Sequence, residues 1–390
     1  MTEPTGQGQR AARPPHDHAG RRERARAAAA ERGDRARAGS AERGATFLLV
    51  TDPRNVRYLT GFTGTNGQVL VGPAPGDDLL ITDARYDQRA AAESPDLPRT
   101  LDRDPFGVAL PLVADHADSS GQLLVEDHQL SWAAARTALD RAQAQSVEIV
   151  GAGRVVEALR LVKEASEIER LAEACAITQR SLAWLFDEVV AVGRTERELA
   201  TLLERRFVDA GADGVAFPSI VASGPNSAIP HHEPTDRRLQ AGDLLTIDCG
   251  ALVDGYHADH TRTVAVGHLD DQLTEVHRVV EAAQAAGVAA LAAGVDAGTV
   301  DAAARAVIDE AGYGEAFVHG TGHGVGLAVH EDPTVGRGAT ATLRPGIVLT
   351  VEPGVYLPGL GGVRIEDTLV VTADGPARAL TDTPRELRVL

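Results

Sequence analysis

Acidic side chains inside apolar, strand-like runs most constrain how this chain folds. Asp248 interrupts the apolar run 244–250, and Glu352 ends the apolar run 347–352. A carboxylate buried in a sheet costs free energy unless a partner neutralises it. The alternative is that such acids lie on the solvent-facing side of exposed strands. Because both runs are otherwise apolar, we favour buried strands whose carboxylates share a compensating charge.

The first of these acids has a mirror partner across a turn. Asp248 and Asp259 are equidistant from a midpoint inside the turn-like segment 252–255. A hairpin with a four-residue loop would place them opposite each other, with Cβ atoms ~5 Å apart. The Asp254-Gly255 dipeptide is itself a turn signal that could shift this register by one.

The second acid repeats the arrangement near the end of the chain. Glu352 and Glu366 are symmetric about Gly359, in a loop rich in proline and glycine. Like charges that face each other destabilise a sheet, and a bound cation would remove that cost. Two hairpins that each offer two carboxylates therefore predict a dinuclear metal site.

His323 lies between the two hairpins in a glycine-rich segment. The glycines at 320, 322, 324 and 326 do not have the spacing of a dinucleotide-binding loop. They instead allow close backbone approach around an inward-pointing His323. One imidazole among carboxylates suits Mn, Co, Fe or Zn better than Ca or Mg alone. His231 and His330 are further candidates, although an isolated histidine is usually structural.

The order of helix-like and strand-like patterns predicts two folded parts. Strand-like runs alternate with helical stretches between residues 45 and 152, which indicates a small α/β domain. From 153 to 390 the order is helix pair, strands, helix pair, strands, which favours an α+β core of two similar halves. Capping-box spacings at Ser166–Glu169 and Thr195–Glu198 predict helix starts. Residues 1–44 are rich in Arg and Ala without a hydrophobic face, so we expect a disordered tail, with a nucleic-acid-binding arm as the alternative.

Charge and cysteine content restrict the partners and the compartment. The chain has a formal charge of −18, and the body beyond residue 44 carries −22, which argues against nucleic-acid binding. Two distant cysteines, Cys175 and Cys249, suit a reducing cytosol rather than a disulfide framework. No apolar stretch approaches the length of a membrane span. We therefore expect a cytoplasmic protein without a membrane partner.

Five segments, in order, resemble one known family. The segments 242–250, 259–263, 322–326, 351–356 and 364–367 resemble the pita-bread (M24-type) metallopeptidases, which include aminopeptidase P, prolidase and methionine aminopeptidase. Residues 51–62 and 81–86 resemble the creatinase-like N-terminal domain of aminopeptidase P and prolidase. The resemblance implies an α+β fold with a creatinase-like α/β domain over 45–152 and a pita-bread catalytic domain over 153–390.

The resemblance also implies the roles of individual residues. Its five metal ligands map onto Asp248, Asp259, His323, Glu352 and Glu366. These would hold two divalent ions per chain, with Mn expected and Co, Zn or Fe as alternatives, and with Asp259 and Glu366 bridging them. Glu352 would shuttle protons, His231 and His330 would face the substrate, and Arg364 matches a further family arginine. The complete ligand set argues against creatinase and against a non-catalytic binding protein of this fold.

The expected activity is metal-dependent hydrolysis of the bond between an N-terminal residue and proline, by a hydroxide that bridges the two ions. The main expectation is an Xaa-Pro aminopeptidase, and the alternative is an Xaa-Pro dipeptidase (prolidase) restricted to dipeptides. Expected partners are small peptides with proline at the second position and a second copy of the chain, as a homodimer or larger homo-oligomer.

Overall fold

The computed structural model describes residues 15–37, 45–116 and 121–390. Its first part is a mixed six-stranded sheet with helices packed against it, which confirms the predicted α/β domain. The elements of this part are α1 (His18–Ala36), β1 (Thr46–Val50), α2 (Pro53–Thr60), β2 (Gly67–Val71), β3 (Leu79–Thr82), α3 (Asp87–Glu93), β4 (Arg99–Leu101), α4 (Pro105–Asp115), β5 (Gln122–Val125), α5 (Trp132–Gln143) and β6 (Glu148–Gly151). The strand order is β4-β3-β2-β1-β5-β6.

Helix α1 corrects the expectation of a disordered tail for the stretch that it covers. Buried alanines and two buried arginines form its docked face. Arg21 donates to Glu164 at 2.9 Å, and Arg22 donates to Asp78 at 3.2 Å. The helix therefore docks through small side chains and charge pairs, which a search for a hydrophobic face does not detect. Residues 1–14 and 38–44 lie outside the described residues, so the expectation of a disordered tail is not tested for them.

The second part has the predicted order of helix pair, strands, helix pair, strands, preceded by a short helix. Its helices are α6 (Val155–Arg160), α7 (Ala165–Trp184), α8 (Glu196–Asp209), α9 (Asp271–Ala290) and α10 (Ala297–Glu310). Its strands are β7 (Gly214–Val215), β8 (Ile220–Ser223), β9 (Asp243–Cys249), β10 (Ala251–Val253), β11 (Tyr256–His257), β12 (His260–Val266), β13 (Gly322–Gly324), β14 (Glu331–Val335), β15 (Val348–Val351), β16 (Gly354–Leu357), β17 (Gly361–Arg364), β18 (Asp367–Val370) and β19 (Arg378–Ala379). They form sheets of order β11-β10-β7, β12-β9-β8, β14-β13-β15-β18-β19 and β16-β17.

One of the two predicted capping boxes is at its expected place. Thr195 and Glu198 bond each other's backbone amides at the start of α8. At α7 the box is formed by Glu164 and Glu167 instead of Ser166 and Glu169, because the helix begins at Ala165.

The first carboxylate hairpin has a different register from the one expected. Asp248 pairs with Thr261 rather than with Asp259. The turn is the Asp254-Gly255 dipeptide, with φ of 49° and 76° at its two residues, as a type I′ turn requires. The centre of the turn thus lies one residue later than expected, and the residue opposite Asp248 lies two residues later, at Thr261. Because side chains alternate with a period of two, Asp248 and Asp259 still share one face.

The second hairpin has the predicted symmetry about Gly359, whose φ of 81° closes the loop. Val351 pairs with Asp367 in one sheet and Gly354 pairs with Arg364 in another, in one continuous register. Glu352 and the residue opposite it lie between these two sheets, where neither belongs to a regular strand. Their side chains are therefore free to face inward.

The two parts of the chain share one hydrophobic cluster. It runs from Val50 and Tyr58 in the first part to Leu171 and Val253 in the second. None of the helices within the described ranges combines the length and apolar character that a membrane crossing needs.

Candidate metal centre

His323 is held in the middle of β13 by close backbone packing on both sides. A Cβ atom at Gly322 would overlap the carbonyl oxygen of Thr350, and one at Gly324 would overlap that of Asp332. This supports the interpretation that these glycines serve close backbone approach. The Nδ1 atom of His323 lies 3.0 Å from the carbonyl oxygen of Gly324. A proton on Nδ1 fixes the ring and leaves Nε2 free to bind a cation.

The Nε2 atom of His323 points at carboxylates from both hairpins. It lies 3.1 Å from Glu352 Oε1 and 3.6 Å from Asp259 Oδ2. One atom each from Asp259, His323 and Glu366 lie within 4.8 Å of one another, which suits a shared cation. The structure thus brings together four of the five predicted ligands from three separate chain segments.

Asp248, the fifth predicted ligand, lines the same cavity and is held by an arginine. Arg364 donates from Nη2 to Asp248 Oδ2 at 2.7 Å. The other oxygen, Oδ1, is buried and has no hydrogen-bond partner in the described part of the chain, and the same holds for Glu366 Oε1. A buried carboxylate oxygen without a donor is costly, and a divalent cation would satisfy both atoms. The residues present therefore fit a metal centre.

The charges at this site oppose one another until a cation binds. Burial raises the pKa of Asp259, and the neighbouring Glu366, Asp248 and Glu352 carboxylates raise it further. Burial and the Glu352 charge likewise raise the pKa of Glu366. Burial also acts to raise the pKa of Glu352, but the hydrogen bond and charge of His323 outweigh it and lower the pKa to about 2. Because like charges accumulate here, bound cations stabilise the site.

Two threonines orient the carboxylates from behind, and the sequence analysis did not identify them. Thr261 donates to Glu366 Oε2 at 2.6 Å, and Thr350 donates to Glu352 Oε1 at 3.2 Å. Thr261 lies in the 259–263 segment, two residues beyond a predicted ligand, so its spacing along the strand was an available signal. Thr350 precedes Glu352 by two residues in the same way.

The site opens into a cavity of about 690 Å³ that His231 and His330 also line. The ring of His330 lies 4.4 Å from that of His323, centroid to centroid. The cavity therefore brings both predicted substrate-facing histidines to the same space as the carboxylates. Its size suits a small ligand.

A polar chain beside the cavity contains two residues that the sequence analysis did not assign. The Nε2 atom of His319 lies 2.8 Å from the Tyr356 hydroxyl, and Arg364 Nη1 donates to that hydroxyl at 2.9 Å. Arg364 is buried, and these bonds fix the arginine that holds Asp248. Tyr356 lies in the 351–356 segment singled out from the sequence, and His319 directly precedes the glycine-rich segment, but only the fold shows that they meet.

Family comparison agrees with this geometry. The family described as Metallopeptidase family M24 matches residues 169–373, and the Creatinase/Prolidase N-terminal domain matches residues 32–162. The chain belongs to metallopeptidase family M24. It is thus a metal-dependent peptidase with the expected pita-bread fold. The boundaries at 44/45 and 152/153 and the individual metal ligands stay predictions.

Several relatives are similar over most of the chain. The solved structure of the Xaa-Pro dipeptidase from Bacillus anthracis superposes with a TM-score of 0.87 at 34% identity and covers 96% of this chain and 100% of that one. The X-Pro aminopeptidase from Thermotoga maritima MSB8 superposes with a TM-score of 0.81 at 34% identity, covering 89% and 98%. The Xaa-Pro dipeptidase of Pyrococcus furiosus is 43% identical over 233 residues, which are 60% of this chain and 66% of that protein.

Proposed function

We propose that this chain is an Xaa-Pro dipeptidase, which hydrolyses the bond between an N-terminal residue and a C-terminal proline. The observation that carries the proposal is the convergence of Asp259, His323 and Glu366 at a cavity sized for a small peptide. Two of the three relatives described above are Xaa-Pro dipeptidases. They favour an Xaa-Pro dipeptidase over an Xaa-Pro aminopeptidase, which was the main expectation from the sequence.

The metal is part of the proposal. Two divalent ions, with Mn expected, would be held by the five predicted ligands, Asp248, Asp259, His323, Glu352 and Glu366. Bound there, the ions would supply a water that ionises near neutral pH and a Lewis acid for the scissile carbonyl. A cytoplasmic location and a homodimeric state are further predictions of the sequence.

The protein's own residues take defined roles in hydrolysis. The Glu352 carboxylate lies at the site, 3.1 Å from His323 Nε2, where it accepts a proton from the attacking water and delivers that proton to the prolyl nitrogen. Burial, and then the neighbouring His323 charge, lower the pKa of His330, which favours the neutral imidazole. An N–H of His330 or of His231 donates to the oxyanion that develops on the carbonyl. Arg364 keeps Asp248 in place.

Proline recognition follows from the shape of the cavity. The Xaa-Pro bond lacks an N–H, so a peptidase cannot grip it by a backbone hydrogen bond at that position. Phe217, Ile220 and Val329 give part of the cavity an apolar wall. We assign the proline ring to this wall because its apolar surface gains from burial.

The test is hydrolysis of a peptide panel by Mn-loaded protein. Xaa-Pro dipeptides should be cleaved faster than Xaa-Pro-Yaa tripeptides, and Xaa-Ala dipeptides should resist. Chelation should abolish cleavage, and added Mn should restore it. Equal or faster cleavage of the tripeptides would return the assignment to Xaa-Pro aminopeptidase, and an intact panel would refute both.

A further inference from the structure

We propose that Arg154 is a specificity-determining residue that binds the free carboxylate of the substrate proline. This inference rests on the proposed dipeptidase function, because a dipeptide carries its carboxylate directly on the proline. Arg154 comes from the segment that joins the two parts of the chain, and its side chain lines the catalytic cavity. It is thus a substrate contact from outside the predicted metal site.

The charges around the cavity single out this arginine. Among the described residues that line it, the lysine or arginine side chains are Arg154 and Arg364. Arg364 is buried, and its guanidinium is used by Asp248, Tyr356 and Thr261. Moving Arg364 to a substrate would remove this partner from the carboxylate of Asp248, whose side chain is only 14% exposed. The permanent charge that remains for a substrate anion is that of Arg154.

The present partner of Arg154 is weakly held. Its Nη1 atom lies 3.6 Å from Asp332 Oδ2, and the two side chains are 65% and 56% exposed. An exposed ion pair of this kind contributes little free energy. A carboxylate that docks bidentately on a guanidinium makes two parallel hydrogen bonds and can replace such a partner.

The backbone at Arg154 is positioned firmly enough to present the side chain. The Gly153 amide donates to Asp127 at 2.8 Å, and the Ala152 amide donates to the carbonyl of Val125 at 2.7 Å. The partner Asp332 follows His330 by two residues, so the pair lies on the side of the cavity where His330 is. A proline carboxylate bound by Arg154 would therefore lie on the His330 side of the cavity.

Competing negative charge beside Arg154 is already neutralised. Glu331, adjacent in sequence to Asp332, is buried and pairs with Arg160 and with Lys163, the latter at 3.2 Å. Those two cations are therefore committed to a structural role. Asp332 is the carboxylate that the substrate would displace.

The experiment compares a dipeptide with its C-terminal carboxamide in wild type and in Arg154→Gln. For the metal-loaded enzyme, KM for Xaa-Pro should rise about tenfold in the variant, with kcat little changed. KM for the Xaa-Pro carboxamide should not change, because it lacks the charge. Arg154→Lys should recover part of the loss. Arg205→Gln removes a similarly exposed, ion-paired arginine from α8, outside the cavity lining, and is the matched control.

A binding measurement separates this inference from the proposed function. Calorimetric titration with a reduced-bond Xaa-Pro analogue and with its carboxamide gives two affinities without any turnover. Wild type should bind the carboxylate form about tenfold more tightly, and Arg154→Gln should bind both equally. A wild type that does not distinguish them, or an equal loss for both in the variant, overturns the role of Arg154. Failure to cleave any Xaa-Pro peptide refutes the proposed function, whatever the affinities show.

Discussion

The carboxylate of Glu196 is the acceptor for a whole loop beside the cavity, and replacing it with glutamine should destabilise the protein strongly. Its Oε1 accepts from the Ser223 amide, the Ser223 hydroxyl and Asn226, at 2.7 to 3.0 Å. Its Oε2 accepts from the ring of His232 and from the amide and hydroxyl of Thr235, at 2.7 to 3.0 Å. The side chain is fully buried.

The size of the effect follows from this geometry in two ways. Glu196→Gln replaces one carboxylate oxygen with an amide NH2 group, so three donors lose a charged acceptor and the backbone amide among them faces another donor. The expected loss is about 3–5 kcal/mol in the free energy of unfolding. Burial would raise the pKa of Glu196, but the bonds from Thr235, His232 and their neighbours lower it to about 2. The difference between this pKa and the ordinary value of 4.5 corresponds to about 3 kcal/mol of stabilisation of the folded state by the ionised carboxylate.

The sign of the pH dependence is fixed by this shift. Because the folded-state pKa lies below the unfolded-state value, the stabilisation is present above pH 4.5 and is lost as pH falls toward 2. The stability of wild type should therefore fall more steeply over this interval than that of Glu196→Gln. Both proteins should be measured with chelator in excess, so that metal binding does not contribute.

Urea unfolding at pH 7 and across the acid range is the assay, with Glu198→Gln as the control. Glu198 lies on the same helix but is exposed and accepts a single capping bond that glutamine can also accept, so its replacement should cost less than about 1 kcal/mol. Because His231 precedes His232, kcat/KM should also fall in Glu196→Gln. A Glu196→Gln variant within 1 kcal/mol of wild type, or with the same acid dependence, refutes the reasoning.

Three further substitutions test other parts of the molecule. Asp259→Asn removes one charge from the crowded carboxylates, so metal content, measured by atomic absorption, and peptidase activity should both fall. The melting temperature of the chelated protein should not fall. Wild-type metal content in this variant would contradict the assignment of Asp259 as a metal ligand. Asp367→Asn should lower the free energy of unfolding in urea by about 3–5 kcal/mol. The reason is that the buried carboxylate accepts from Arg262 at 2.8 Å, and Arg262 in turn donates to the carbonyl oxygen of Glu366. A loss below 1 kcal/mol would argue against this pairing. Arg21→Met should cost about 2 kcal/mol and should expose α1 to limited proteolysis, and unchanged protection would show that its ion pairs do not hold the helix.

The two hairpins show how far symmetry in a sequence can predict a register. Glu352 and Glu366 were placed correctly because the loop around Gly359 is centred where the symmetry requires. Asp248 and Asp259 are symmetric about a point that is not the turn, since a type I′ turn prefers Asp254-Gly255. Local turn chemistry decided the pairing there. The shared face was still predictable, because a shift by two residues preserves it.

Helix α1 could not be predicted from its own residues. Its buried face includes arginines whose partners, such as Glu164 and Asp78, are distant in sequence. Hydrophobic periodicity detects a helix face that packs by burial of apolar area. It does not detect a face whose buried arginines pair with acidic residues that are brought close only by folding. The same limit explains why the Glu196 cluster and the His319–Tyr356–Arg364 chain were missed. Each depends on contacts between segments and not on spacing within one.

The turn that carries Asp254 links the metal-site hairpin to both parts of the molecule. Arg57 from α2 lies 2.8 Å from the Asp254 carboxylate, and Arg170 from α7 lies 3.2 Å away. Burial would raise the pKa of Asp254, but the interaction with His16 and the charge of Arg57 lead the effects that hold it below its ordinary range. The tip of the hairpin is thus fixed by the first part of the chain, while its base supplies the carboxylates of the site. Because ligands must be held within fractions of an ångström to bind a cation well, the creatinase-like part contributes to the site by rigidity.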